Sequence, residues 1–93
     1  MPTYSINGDQ VAKLRFFASV EEKMGMDMME IPVDGSISAR GILGLAVKRA
    51  GVDPGVLINN SLLYAVNHET VDLDHEVVDS DEVAVLPPLS GGA

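Results

Sequence analysis

Hydrophobic and polar residues alternate along residues 11–17, whose sequence is VAKLRFF. Ala12, Leu14 and Phe16 fall on one side of this segment, whereas two basic residues and Phe17 fall on the other. A period of two predicts a β-strand with one buried face.

A second strand is predicted at residues 28–33, where Met29, Ile31 and Val33 share one side. Pro32 has no amide hydrogen to donate to a neighbouring strand. We therefore expect Pro32 to face an open side of the sheet or to lie at a bulge.

A short helix is predicted between these two strands. Ser19 followed by Glu22 has the spacing of a capping box, and Gly25 is well placed to end the helix. The segment between them has room for about two helical turns.

The main helix is predicted after the turn at residues 34–35. Ser36 or Ser38 can cap its start, and Gly51 lies just beyond its end. Its apolar face consists of residues at helical spacing: Ile42, Leu43, Ala46, Val47 and Ala50. Gly41 and Gly44 each cost about 1 kcal/mol relative to alanine inside a helix, which suggests that something packs close to the backbone there.

Two further strands are predicted at residues 62–67 and 82–86, with one short strand near residues 71–73 in the turn-rich segment between them. This order of elements fits one main helix packed across one face of a mixed sheet of four to five strands. The predicted fold class is therefore α+β, a small roll.

The length of 93 residues suits one domain, which we divide into a leader (1–10), a folded part (11–86) and a tail (87–93). The absence of cysteine excludes disulfides, thiolate metal sites and a cysteine nucleophile. The start of the chain does not look like a secretory signal, and no apolar run approaches the roughly 18 residues of a membrane span. We expect a cytoplasmic protein that does not bind membranes.

The net charge of −8 is unevenly distributed, because all six basic residues precede residue 50, where acidic residues balance them. The later half has no lysine or arginine, and its acidic residues are Asp53, Glu69, Asp72, Asp74, Glu76, Asp79, Asp81 and Glu82. Such a surface repels nucleic acid and favours a basic protein partner. The simpler alternative is that the acidity only maintains solubility.

Two segments carry a resemblance to a known family: LRFFASVEEKMG at residues 14–25 and AVNHETVDLDHEVVDSDEVAVLPPLSGG at residues 65–92. They resemble the ubiquitin-like sulfur carriers of the MoaD/ThiS type, and most closely the MoaD family of small subunits of molybdopterin synthase. The resemblance implies a β-grasp fold in which the first and last strands are central parallel neighbours.

The resemblance also implies where the chemistry takes place. In this family the carboxylate of the second terminal glycine, here Gly92 beside Gly91, is adenylated with ATP by a MoeB/ThiF-type enzyme and converted to a thiocarboxylate. The large subunit of molybdopterin synthase then transfers this sulfur to a pterin precursor. The carrier binds no cofactor or metal of its own. Physically, Pro87 and Pro88 favour an extended tail, and glycines let the backbone enter a narrow channel.

Ala93 departs from the family pattern, because it places the terminal carboxylate beyond Gly92. Three explanations remain open: a protease removes Ala93, the adenylating enzyme accepts alanine, or the chain carries no sulfur. A smaller departure is Ser80, where family members usually have glycine in a turn.

A partner surface follows from strand parity combined with the resemblance. If Val83 and Val85 point inward, Leu86 points outward with Phe17, and Thr70 is a third candidate for contact with partners. The resemblance adds the tail residues Pro87, Pro88, Leu89 and Ser90. The alternative is that Phe17 is a small core residue beneath the leader.

Other functions remain open at this stage. His68 and His75 lie near several carboxylates, but their spacing matches no metal-ligand motif and favours a solvated acidic hairpin. A protein modifier joined through Gly92 to lysines, a carrier for thiamine or another sulfur metabolite, and an interaction domain with an inactive tail are the alternatives to the molybdopterin carrier.

Overall fold

The computed structural model describes residues 10–88 of the chain. Its elements are β1 (Val11–Phe16), α1 (Ala18–Met24), β2 (Met28–Pro32), β3 (Ser36–Ser38), α2 (Ala39–Ala50), a 3-10 helix (Pro54–Val56), β4 (Leu63–Val66), β5 (Glu69–Val71), β6 (Glu76–Val78) and β7 (Glu82–Leu86). Five strands form one sheet in the order β2-β1-β7-β4-β5, and β3 pairs with β6 in a second, small sheet. The predicted α+β roll with a mixed sheet is confirmed.

The centre of the main sheet is the parallel pair of β1 and β7, in which Lys13 lies beside Glu82 and Phe16 beside Val85. All other neighbouring strands in the sheet are antiparallel. Because β1 and β7 run in the same direction, their C-terminal ends lie side by side at the same end of the sheet. The expected β-grasp arrangement is therefore present.

The hydrophobic core lies between the main sheet and the two helices. From β1 it takes Ala12, Leu14 and Phe16, and from β7 it takes Val83 and Val85, all essentially inaccessible to water. The predicted apolar face of α2 is buried in the same core, apart from Ala50, which is partly buried. Burying each large aliphatic side chain contributes about 1.5–3 kcal/mol, so the period-two and period-3.6 patterns dictate which surfaces meet.

Pro32 occupies the open side that its missing amide requires. β2 is the outermost strand of the sheet, and the amide of the next residue, Val33, donates a hydrogen bond to the carbonyl of Gln10. Backbone groups alternate in direction along a strand, so Pro32 faces away from β1.

The ends of α2 are defined by Ser38 and Gly51. The Ser38 Oγ accepts a hydrogen bond of 3.0 Å from the amide of Gly41, so Ser38, the last residue of β3, caps the helix, whereas Ser36 is the first residue of β3. Gly51 adopts a left-handed conformation with φ of 72°, and its amide donates to the carbonyl of Val47. These contacts satisfy backbone groups that a helix end otherwise leaves unpaired.

The two glycines inside α2 differ from each other. A Cβ on Gly41 would come within 2.9 Å of Ile37 Cγ1 and 3.2 Å of Ser38 Oγ. A Cβ on Gly44 would meet no atom within 4 Å. The prediction of a close neighbour is confirmed for Gly41 and is wrong for Gly44.

The predicted capping box of α1 is wrong, although Gly25 ends the helix as expected with φ of 76°. Phe17 occupies the cap position and makes no side-chain capping hydrogen bond. Ser19 lies inside the first turn because β1 extends to Phe16 and the chain turns at once at Ala18, which has φ of 52°.

The short strands were the hardest elements to predict. Instead of one strand near residues 71–73, the chain forms β5, which ends at Val71, and β6, which begins at Glu76; β3 was not predicted. Each of these strands has three residues, which is too short for an alternating pattern to be recognised. Asn67 and His68 connect β4 to β5 with positive φ angles, as a two-residue turn requires.

Candidate functional site

The face of the main sheet that the helices leave uncovered, called here the open face, carries the outward-pointing side chains of the strands. In β1 these are Lys13 and Arg15, followed by Phe17. In β7 they are Ala84 and Leu86, with Glu82 at the start of the strand. The alternate residues of both strands are buried in the core, so the alternating sequence pattern predicts that these positions are exposed.

One end of the open face is apolar. Phe17 is 37% exposed, Leu63 is 46% exposed, and Leu86 is partly buried. Leu63 lies directly opposite Leu86 across β4 and β7, and the amide of Phe17 donates a 3.3 Å hydrogen bond to the carbonyl of Val85. We call Phe17, Leu63 and Leu86 the exit patch, because the chain leaves the sheet there at Pro87.

The exit patch brings together two of the residues that the sequence singled out, Phe17 and Leu86. The alternative that Phe17 packs beneath the leader involves residues 1–9, which lie outside the described residues. Thr70 lies on the same face but farther away: it pairs with Ala65, which in turn pairs with Ala84. Thr70 is therefore at the edge strand, two strands from β7.

Leu63 and Met28 are exposed apolar residues on the open face that the sequence analysis did not select. A signal for Leu63 was present, because Tyr64 and Val66 are the buried positions of β4 and the residues between and before them must point outward. Met28 gave a weaker signal, since the start of β2 lies within a run of methionines.

The tail begins at Pro87, which is partly buried, and Pro88, which is exposed. Both rings restrict φ and favour an extended direction away from the sheet. The predicted sites Leu89, Ser90, Gly91, Gly92 and Ala93 lie outside the described residues.

Charged residues occupy the part of the open face next to the exit patch. Arg15 Nη1 lies 3.3 Å from Glu82 Oε2 and forms a hydrogen-bonded ion pair with it. The guanidinium carbon of Arg15 is 5.6 Å from the centre of the Phe17 ring, within the range of a cation–π contact. The two contacts link the charged and apolar parts of this face.

A hydrogen-bond network around Asn67 fixes the start of β7. Asn67 Oδ1 accepts from the amide of Glu82 at 3.0 Å, Asn67 Nδ2 donates to Asp81 Oδ1 at 2.9 Å, and the Asn67 amide donates to the Glu82 carbonyl at 2.8 Å. Asp81 Oδ2 also accepts from the amide of Val78. The turn before β7 is thus tied to the turn after β4.

Within residues 10–88, no group of three or more histidine and acidic residues is arranged to hold a metal ion. Neither α-helix of this part of the chain has the length and apolar character needed to cross a membrane.

The sequence model of the ThiS family matches residues 14–92, which is most of the chain and ends at the second glycine of the tail. Among curated proteins, the chain is 38% identical over 82 residues to the protein named molybdopterin synthase sulfur carrier subunit of Escherichia coli. This alignment covers 86% of the chain and 98% of the relative.

Solved structures share the fold. The small archaeal modifier protein 1 of Methanosarcina acetivorans superimposes with a TM-score of 0.73 at 20% identity, covering 88% of this chain and 96% of that protein. A chain from the complex of subunits 1 and 2 of the molybdopterin-converting factor of Helicobacter pylori gives a TM-score of 0.60 at 18% identity, covering 88% and 99%. At these identities the similarity establishes the fold alone.

Proposed function

Since this chain belongs to the ThiS family, we propose that it is a sulfur carrier that acts as the small subunit of molybdopterin synthase. The observation that carries the proposal is the 38% identity to a molybdopterin synthase sulfur carrier subunit over 98% of that protein's length. The family match extends through Gly92, the residue on which the chemistry depends.

The reactive group of the carrier is the carboxylate of Gly92. A carboxylate is a poor acyl donor, and attack on the α-phosphate of ATP converts it to an acyl adenylate with release of pyrophosphate. A sulfur donor then displaces AMP and leaves a thiocarboxylate. A partner enzyme transfers the sulfur of this group to the pterin precursor, and water supplies the oxygen that restores the carboxylate of the carrier. The contribution of the fold is to hold the start of the tail in place, because the central strand β7 leads directly into Pro87 and Pro88.

The partners that this function requires are the large subunit of molybdopterin synthase and a MoeB/ThiF-type adenylating enzyme. We place their docking surface on the open face, because the exit patch adjoins the start of the tail. A partner that covers Phe17, Leu63 and Leu86 would be positioned to receive Gly92 in its active site. Exposed apolar patches of this kind are typical of interaction sites.

Ala93 must leave before Gly92 can react, and we propose that a protease removes it. Truncated and full-length chains separate this proposal from its two alternatives. An adenylating enzyme that accepts alanine would activate both chains equally, whereas a chain that carries no sulfur would be activated in neither form.

The test uses three forms of the protein with a MoeB-type adenylating enzyme, ATP and a sulfide source. The first is the full chain, the second ends at Gly92, and the third ends at Gly91 as a matched control. We expect pyrophosphate release and conversion to the thiocarboxylate only with the form that ends at Gly92. The thiocarboxylate is identified by intact mass, from the increase that accompanies replacement of one oxygen by sulfur.

The second part of the test adds the large subunit and the pterin precursor to the thiocarboxylated form. Formation of a dithiolene product and return of the carrier to its carboxylate form would support the proposal. Failure of the form ending at Gly92 to be adenylated would contradict it. Covalent attachment to protein lysines without sulfur transfer would favour a protein modifier instead.

A further inference from the structure

Arg15 lies on β1, the second of the five strands, in a row of side chains on the open face that crosses the entire main sheet. The row follows the cross-strand pairs and consists of Met28, Arg15, Ala84, Ala65 and Thr70. Within residues 10–88, Lys13 and Arg15 are the only basic residues in any strand. A partner that covers this face must therefore cover a positive charge.

Two contacts hold the Arg15 side chain in place. Glu82 accepts a hydrogen bond from Nη1, and the Phe17 ring lies 5.6 Å from the guanidinium carbon. A side chain that is already fixed in the unbound protein loses little conformational entropy on binding. Lys13, on the same strand and the same face, makes no hydrogen bond or ion pair through its side chain in the described residues.

The contacts of Arg15 leave most of its hydrogen-bonding capacity unused. A guanidinium carries five N–H donors, and within residues 10–88 one protein acceptor, Glu82, binds it. The side chain remains 42% exposed, so water satisfies its other donors in the unbound protein. Removing that water without supplying new acceptors costs free energy, and the cost is greater for charged donors.

We propose that Arg15 is a specificity-determining residue of the open face, and that the large subunit of molybdopterin synthase binds it with a carboxylate. The inference rests on the proposed function, because that function requires the face to be covered. A carboxylate fits better than a carbonyl, since its two oxygens match the planar donors of a guanidinium.

The charge of the rest of the molecule makes this contact selective. The chain has a net charge of −8 and no basic residue after Arg49, so it attracts basic surfaces in general. A basic surface without an acidic residue at the right position would leave the remaining N–H donors of Arg15 unpaired, since within residues 10–88 Glu82 is the one acceptor that binds the guanidinium. The correct partner is then distinguished from other basic proteins by one acidic residue within a basic or apolar surface.

The experiment measures binding of the carrier to the large subunit from the same organism by calorimetry. Arg15→Met removes the charge but keeps most of the apolar side-chain length, and Lys13→Met makes the same change two residues away on the same face. We expect Arg15→Met to weaken binding about 30-fold and Lys13→Met by less than about threefold. Arg15→Lys, which keeps the charge but loses the planar donors, should fall between them.

The partner's carboxylate is found by a second set of variants. Each aspartate and glutamate on the contacting surface of the large subunit is changed to its amide, and binding to the original carrier and to Arg15→Met is compared. One amide variant should weaken binding of the original carrier and have little further effect on Arg15→Met. A lysine at that position should restore binding of Arg15→Glu.

Each outcome has a defined meaning. Equal effects of Arg15→Met and Lys13→Met, or tighter binding of Arg15→Met, would overturn the inference while leaving the proposed function intact. No binding by the original carrier would contradict the proposed function itself. Thermal unfolding of every variant separates these outcomes from loss of the fold, and Arg15→Met should unfold close to the temperature of the original protein.

Discussion

Asn67 joins the turn after β4 to the start of β7 through its side chain. It adopts φ of 52°, which asparagine tolerates better than most residues, and its amide group bonds both to the Glu82 backbone and to Asp81. The side chain thus fixes the start of β7, the strand that leads to the tail.

We predict that Asn67→Ala lowers the free energy of unfolding by about 1–3 kcal/mol, because it leaves hydrogen-bonding groups without their partner and places alanine at a positive φ. Urea denaturation monitored by circular dichroism measures the change. Asn60→Ala is the matched control, since the Asn60 side chain makes no hydrogen bond within residues 10–88, and it should change stability by less than about 0.5 kcal/mol. Similar losses in both variants would contradict the account of Asn67.

Ser80, like Asn67, has a positive φ angle, but serine tolerates this conformation less well than asparagine does. Its φ is 73°, in the left-handed region that favours glycine, and its amide donates to the carbonyl of Val11. This conformation gives a physical reason to expect glycine at this position of the turn.

We expect Ser80→Gly to raise the free energy of unfolding by about 0.5 kcal/mol, because the relief of strain exceeds the entropy that glycine adds to the unfolded chain. The shift in the urea midpoint measures it. Ser61→Gly is the control, because Ser61 is exposed and its φ is not positive, and it should give no gain. A loss of stability in Ser80→Gly would show that the turn is not strained.

At the scale of elements, the helix α2 contains a pair of sites that test the packing directly. Gly44 has no atom close to the place of a Cβ, whereas Gly41 lies against Ile37 and Ser38. The same substitution should therefore have opposite effects at the two positions.

We predict that Gly44→Ala raises the free energy of unfolding by about 0.5–1 kcal/mol through helix propensity alone. Gly41→Ala should lower it by about 1 kcal/mol, because the added methyl group displaces Ile37 and disturbs the cap at Ser38. Chemical denaturation of both variants measures the difference. Equal stabilisation in the two would mean that Ile37 moves away at little cost.

The elements also show what a sequence can and cannot predict. β1, β2, α2, β4 and β7 were predictable because each repeats its apolar pattern long enough to specify a buried face. β3 and β6 were not, since three residues provide less than two full alternations and their pairing depends on contacts far apart in sequence. The start of α1 was misjudged because the end of β1, rather than Ser19, determines where the helix begins.

The candidate site followed the same rule. Parity placed Phe17 and Leu86 on the open face, because each continues a strand whose other face is buried. Leu63 follows the same parity in β4, but only the pairing of β4 with β7 places it opposite Leu86. The ion pair of Arg15 with Glu82 joins residues 67 positions apart, and no local pattern indicates it.

At the scale of the whole molecule, two exposed leucines allow the open face of the sheet to be compared with the helical face as a docking surface. Leu63 belongs to the exit patch and is 46% exposed, and Leu45 lies on α2 beyond the core and is 44% exposed. The two residues have the same side chain and nearly the same exposure, so replacing either one by serine should affect solubility and stability to a similar extent.

We predict that Leu63→Ser weakens binding to the large subunit at least about tenfold, because it removes an apolar contact from the covered surface, whereas Leu45→Ser leaves affinity unchanged. Surface plasmon resonance with immobilised large subunit measures both. A larger loss of affinity for Leu45→Ser than for Leu63→Ser would indicate that the large subunit binds the helical face instead of the open face.

The proposed chemistry takes place at the terminus, and intact mass spectrometry of the protein purified from its native host without thiols or reductants shows whether Gly92 carries sulfur. We predict a species that ends at Gly92 and has one carboxylate oxygen replaced by sulfur. If every molecule instead retains Ala93 with an unmodified carboxylate, the protein does not act as the proposed sulfur carrier in that host.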